Sequence, residues 1–325
     1  MRQYNLPRLD ASDIVHFARQ LEHIDPTNYQ TLFAGILGRR YIPLIEGVSP
    51  LVNEYTYRMY TVSGEAKLGG SHAKDHRIVS VTATEHTSAI KQIPVAMNWT
   101  VREIQQAAKY GSPLEQMTIR AAMSSIARRV DRMLAFGETG TTIKGLVNNA
   151  TVNFTTPSTK TGTGAGTKWI RAVPVSPDEI IADISKLVSE VRAQLQQATL
   201  LPGGDMTPAF NRFVLLLDSA NYAYIASTPR SANSDTTILQ YVLRNNPWLE
   251  SVEEWWQLDL ADTAGTGPRA VLYPRDPMAV GALIPDEWTQ LDPQAEGHDI
   301  VVPASGSCGG TVVRYPVAMG YMETH

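Results

Sequence analysis

Apolar residues recur at alternating spacings of four and three through the middle of the chain: Ile119, Met123, Ile126, Val130 and Met133. That spacing sets them on one face of an α-helix. Ser112-Pro113-Leu114-Glu115 supplies the start, with Ser112 as N-cap, Pro113 in the first helical position and Glu115 closing a capping box. Gly137 supplies the stop. The helix predicted over 113–136 is roughly 36 Å long at about 1.5 Å per residue. Arg120, Arg128, Arg129 and Arg132 flank its stripe. A shorter helix leads into it: Thr100 and Glu103 make a second capping box, and Val101, Ile104, Ala107 and Ala108 carry the apolar positions up to Gly111.

Upstream, the alternation from Glu54 to Val62 predicts a strand, and Arg77–Thr82 a second one. The polar, Gly-rich segment from Gly64 to Asp75 joins them into a hairpin. Such a pair is marginal alone in water and must lie on something. Glu85–Val95 reads as the strand returning to the helices. Residues 1–50 are broken by Pro26, Gly35, Gly38, Pro43 and Pro50, leaving one helical pattern, Asp10–Glu22, within an arm. The arm's apolar residues (Leu32, Phe33, Ile36, Leu37, Ile42, Leu44, Ile45) call for cover from neighbours.

Downstream, Thr151–Lys168 is rich in Thr, Gly and Ser and reads as a loop or linker. Ser176 and Glu179 form a third capping box, opening a helix to about Gln197 with Ile180, Ile184, Leu187, Val191 and Leu195 on one face. Phe213–Leu217 is a short buried strand. Asp218-Ser219 caps a helix through Ile225, and Thr236–Arg244 is another, stopped by Asn245-Asn246-Pro247. Strands follow at Ser251–Leu258 and Arg269–Tyr273, then three short ones at Ile300–Val302, Thr311–Arg314 and Val317–Met319.

The order of short helix, Gly-Ser-Pro corner, long helix, glycine, then Lys144-Gly145-Leu146-Val147-Asn148-Asn149 resembles tailed-phage major capsid proteins of the Hong Kong 97-type fold. The resemblance runs from about Leu51 to the end and is sharpest over 99–149. The ending Gly320-Tyr321-Met322-Glu323-Thr324-His325 departs from the family's usual acidic-Gly-Ile ending. The resemblance implies an α+β fold: an N-terminal arm (1–50), an extended hairpin loop (51–83), a peripheral domain (84–150 and 295–325) built on the spine helix 113–136, and an axial domain (151–294). It implies a phage head shell of hexamers and pentamers around double-stranded DNA, assembled in the host cytoplasm. The partners so implied are copies of the chain itself, with scaffolding, portal and decoration proteins beside them and packaged DNA touched non-specifically. An encapsulin-type nanocompartment shares the fold and is the nearest alternative; a soluble hydrolase is the alternative of another class.

Composition fits a folded chain with a real core: 325 residues, 43% hydrophobic and 18% charged. The net charge of −4 argues against an overall nucleic-acid-binding surface. With one cysteine, Cys308, no intrachain disulfide is available, and its Gly-Ser-Cys-Gly-Gly setting suits a turn or strand end rather than a nucleophile. No run approaches the ~18 apolar residues of a membrane helix, and no apolar signal core follows Arg2. The chain is therefore expected to involve no membrane.

Several groups invite chemistry, and none converges. Gly162, Gly164 and Gly166 with Lys168 lack the spacing of a phosphate loop. His72, Asp75, His76 and His86 have a zinc-like interval but fall at a hairpin tip and its strand. Ser307 has no nucleophile-elbow motif. Glu253 and Glu254 beside Trp255, Trp256 and Asp259 would point to opposite faces of a strand and could not flank one bond. The spine arginines suit snorkelling and pairing with acids better than phosphate binding. The expectation is no catalytic, cofactor or metal site and no enzymatic activity. The first fifty residues lack charged heptads, so the mature subunit is expected to keep its N-terminus, and a fused, cleaved scaffold is not. Removing Gly64–Asp75 is expected to spare folding and spoil shells. Lys67 and Lys74 in that tip give no ground for a covalent cross-link.

Overall fold

The computed structural model describes residues 36–63, 78, 80–110, 114–161, 166–170, 175–200, 210–231, 235–260 and 268–324. The predicted helix 10–22, the Ser112-Pro113 cap and the hairpin tip with Lys67, His72, Lys74, Asp75 and His76 lie outside them, as do Leu32, Phe33, Gly162 and Gly164.

In chain order the elements are α1 (Gly38–Tyr41), β1 (Glu54–Ser63), β2 (Ser80–Ala89), β3 (Lys91–Thr100), α2 (Val101–Tyr110) and the spine helix α3 (Leu114–Phe136), then β4 (Asn153–Thr155) and α4 (Pro177–Leu200). They continue with β5 (Phe213–Leu217), α5 (Ser219–Ser227), α6 (Ile238–Asn245), β6 (Leu249–Glu254), a 3₁₀ turn (Trp256–Leu260) and β7 (Arg269–Tyr273). Last come β8 (Val280–Ala282), β9 (Asp286–Gln290), β10 (Gln294–Glu296), β11 (Asp299–Cys308), β12 (Thr311–Val313), a second 3₁₀ turn (Pro316–Ala318) and β13 (Gly320–Glu323).

The spine helix lies over an antiparallel sheet. β3 and β11 pair over their whole length, Lys91 opposite Cys308 and Thr100 opposite Asp299, with β9 and β10 on the other edge of β11. Met97, Ala122, Val302 and Ala304 close the contact between this sheet and α3. A second sheet has the order β4-β13-β7-β5-β6. β5 and β7 are buried throughout because both faces are covered. The strand period of two sorts their side chains. Val214, Leu216, Val271, Tyr273 and Tyr321 join the core beneath the end of α3, while Phe213, Leu215, Leu217, Leu272 and Met322 join the core beneath α4.

Several expectations change. Of the spine stripe, Ile126, Val130 and Met133 are buried, but Met123 is 43% exposed and Ala122 takes its place inward. A step of four from Ile126 holds the face better here than a step of three. The hairpin's return strand runs to Ala89 rather than Thr82, and β3 carries the chain on to Thr100. Within residues 36–45, Tyr41 and Ile42 sit in the chain's own core and Leu44 bridges Ala282 through its backbone, while the Ile36 and Leu44 side chains stay exposed. The predicted strand 251–258 ends at Glu254 and becomes the 3₁₀ turn, and in place of the predicted strand 317–319 stands the 3₁₀ turn Pro316–Ala318. The true last strand, β13, pairs with β7 and β4, so the tail does not pack wholly with β3 and the spine.

The described residues of 151–168 form, beyond β4, a loop that is anchored to the core rather than a free linker. Thr155 and Lys160 are buried. Lys160 Nζ pairs with Asp183 on α4, whose carboxylate also accepts from Trp169 Nε1 at 3.0 Å and from the Ser158 amide at 3.0 Å. The Lys160 amide donates to Gly166 O at 2.9 Å.

Candidate assembly surfaces

The Gly-Leu-Val-Asn segment after the spine has a mechanical role. The last four carbonyls of a helix lack internal partners. Here each of those from Met133 to Phe136 finds one. Gly137 N–H donates to Met133 O at 2.8 Å, Leu146 N–H to Leu134 O at 2.9 Å and Val147 N–H to Ala135 O at 3.0 Å. Asn148 Nδ2 donates to Phe136 O at 2.8 Å, and Thr311 Oγ1 adds a second bond to Leu134 O at 2.8 Å. To do this the chain doubles back against the helix. Gly137 has φ +70°, and a Cβ on Gly145 would lie 2.2 Å from Ala135 O. Tyr321 Oη then donates to Leu146 O, tying β13 to the same turn. Asn148→Ala is expected to lower subunit stability by about 1 kcal/mol, the usual net value of one hydrogen bond, measured by urea unfolding.

Asp131 is an anchor that apolar periodicity does not reveal. It lies on the spine's buried side, where it accepts from Gly38 N–H at 2.6 Å and from Gln257 Nε2 at 2.8 Å. It thereby pins α1 and the 3₁₀ turn after β6 to the spine. Burial raises its pKa, more than the amide bonds from Gln257, Gly38 and Leu37 lower it. A raised folded pKa means the group's contribution is fully present below the unfolded value, about 3.9, and is lost as pH rises through the folded one.

The hairpin β1–β2 pairs in register from Glu54 opposite Ala89 to Ser63 opposite Ser80. Ser80–Thr87 are exposed, and Tyr60 and Val81 present apolar surface at 59% and 62% exposure. Its base is held by Tyr55 and Tyr57 against Ile90, Leu283 and Val312. A cleft of about 300 Å³ opens there, lined among others by Tyr57, His86, Lys144, Asn149 and Arg314. His86 stacks on Tyr57 at 5.3 Å, and Arg314 donates to Tyr55 Oη at 2.9 Å. On α2 the capping box is in place: Thr100 N–H to Glu103 at 2.9 Å and Glu103 N–H to Thr100 Oγ1 at 3.2 Å, bonds that lower the Glu103 pKa. Val101 and Ile104 are exposed there.

Those of the residues weighed for chemistry that are described stay apart. Among the described residues no three His, Cys, Asp or Glu side chains are grouped to hold a metal. Ser307 is buried, with its Oγ unbonded among the described residues. Glu253 meets Arg40 at 3.3 Å, Asp259 accepts from the Ser219 amide at 3.0 Å, and Trp255 is core, so the strand alternation predicted around them does not hold. Lys168 is exposed beside Gly166, and the neighbouring Thr161 bonds Glu179 in the first turn of α4. Of the spine arginines, Arg129 pairs with Glu138, and Arg128 Nε donates to Ser124 O at 3.3 Å. Cys308 ends β11, fully buried, and burial pushes its thiol up to about 11. Native protein is expected to leave this thiol unmodified by iodoacetamide at neutral pH, with full labelling only after denaturation, as read by intact mass.

A family model described as Major capsid protein matches residues 64–324. The chain belongs to the major capsid protein family. Solved structures agree in fold. The capsid of Myoviridae phage XM1 superposes with a TM-score of 0.75 at 17% identity, covering 94% of this chain and 97% of that one. The capsid of a native GTA particle gives 0.65 at 11% identity, covering 97% and 99%. A structure of Mycobacterium phage Ogopogo gives 0.58 at 14%, covering 94% and 97%. No curated protein matches the chain. This major capsid protein therefore has the Hong Kong 97-type fold expected from its sequence, and it is a structural protein of a phage-type capsid built from many copies of itself.

Proposed function

We propose that this major capsid protein forms hexamers and pentamers that close into an icosahedral phage head around double-stranded DNA, with no catalytic activity of its own. The observation that carries the reading is the hairpin. A two-stranded sheet of ten-residue strands, about 33 Å long, exposes most of β2 and is supported, among the described residues, at its base. Its apolar residues need the surface of another subunit, so assembly completes burial that folding leaves undone. The regions are read as an arm up to residue 35, a hairpin loop from about 51 to 89, a peripheral domain of α2, α3, β3 and β9–β11, and an axial domain of residues 151–294 sharing β13. Scaffolding, portal and decoration proteins are further partners by the same reading, and assembly takes place in the host cytoplasm. Nothing among the described residues of the hairpin or the spine favours an encapsulin-type shell; a cargo-enzyme gene beside this one would.

The test is the double substitution Tyr60→Asp with Val81→Asp. Both sites are exposed in the subunit, so circular dichroism should be unchanged while electron microscopy shows no closed shells. Normal shells from the variant would remove the hairpin from assembly.

A further inference from the structure

The spine helix has a second face. Over α3 the basic residues are Arg120, Arg128, Arg129 and Arg132, and the only acids are Glu115 in the first turn and Asp131. Asp131 is buried and turned to Gly38 and Gln257. Glu138, just past the end, is taken by Arg129. Among the described residues no carboxylate pairs with Arg120 or Arg132, and both are exposed. At 3.6 residues per turn, Arg120, Arg128 and Arg132 fall within an arc of about 120° and span about 18 Å. Between them stand Ala121 and Ser124, small enough to let a rod lie close, and Asp131 near the edge of the arc, which turns inward to Gly38 and Gln257. In a chain of net charge −4 this face is a local reversal of sign.

We propose that this face is where the inside of the shell meets the phosphates of packaged DNA; the proposal rests on the capsid reading above. A subunit interface would want aromatic or aliphatic anchors and few charges at its centre. This face offers guanidinium groups over small residues. Guanidinium groups bind phosphate bidentately and read no sequence. Along 18 Å of duplex there are on the order of ten phosphate charges, so the contact needs no fixed register and tolerates any genome.

The experiment treats DNA-filled particles, and the same particles emptied of DNA, with the arginine-selective reagent phenylglyoxal. Peptide mass spectrometry then reads the modification at Arg120 and Arg132. The expected result is several-fold less modification in filled particles than in empty ones. Equal modification overturns the proposal: high in both means no DNA contact, low in both means a neighbouring subunit covers the face. If no closed particles form, it is the capsid reading that fails, and microscopy shows this before any labelling. A second measurement uses Arg120→Gln/Arg132→Gln capsomers and a short random-sequence duplex. The slope of log affinity against log salt should fall by roughly 1 to 2, about 0.9 for each phosphate left without its guanidinium. An unchanged slope in a folded variant contradicts the proposal.

Discussion

Ile126→Asp will yield no soluble, folded subunit. Ile126 is 2% exposed in the middle of the spine, packed where α3 crosses the sheet. Its Cγ2 would stand 3.0 Å from a Cβ placed on Gly306 of β11, so the strand passes directly beneath it. A carboxylate there has no partner and no water. An unpaired buried charge costs several kcal/mol, comparable with the roughly 5–15 kcal/mol that holds a whole domain together. Ile126→Val, which removes one methyl, should cost only about 0.5–1.5 kcal/mol and leave assembly intact. A soluble Ile126→Asp protein with native circular dichroism would mean that the spine does not pack as described.

Asp183→Leu is the second large effect. Lys160 and Asp183 both have fully buried side chains. Removing the carboxylate strands an ammonium in the core under α4 and unbonds Trp169 Nε1 and the Ser158 amide. Breaking a buried pair on one side costs about 3–5 kcal/mol, whereas replacing both partners by apolar groups is often nearly neutral. Urea unfolding of Asp183→Leu should show a loss in that range, and Lys160→Met/Asp183→Leu should recover most of it. A loss for the single variant of under about 1 kcal/mol, as for an exposed pair, would show that the segment before α4 is open to water after all.

The sequence is most legible where one physical period rules. On α4, Ile180, Ile184, Leu187 and Val191 are all buried as their spacing predicts. The end of α3 is legible through Gly137 and Gly145, because backbone passes where any side chain would stand. Less legible are the places where tertiary contacts set the rule. β11 runs ten residues through Pro303, Ala304, Ser305 and Gly306, which have little strand preference of their own; its ladder with β3 holds them. Asp131 and Lys160 look like surface residues by type, and only their distant partners, Gly38 and Asp183, account for their burial. The Thr- and Gly-rich run from 151 looks like a linker for the same reason. Trp255 escapes the alternation because the chain leaves the strand at Glu254, and a 3₁₀ turn does not alternate. Two of the candidate chemical residues engage structural partners instead: Glu253 with Arg40 and Asp259 with Ser219.

On the reading proposed above, this chain completes its burial only in a closed shell of its own copies. Electron microscopy of the purified, full-length protein, with particle mass measured on the same sample, tests that most directly. Closed, uniform particles or free capsomers of several subunits are expected, with subunit-sized density repeated across the surface. A monodisperse monomer at high protein concentration, folded by circular dichroism and forming no capsomers, would contradict it.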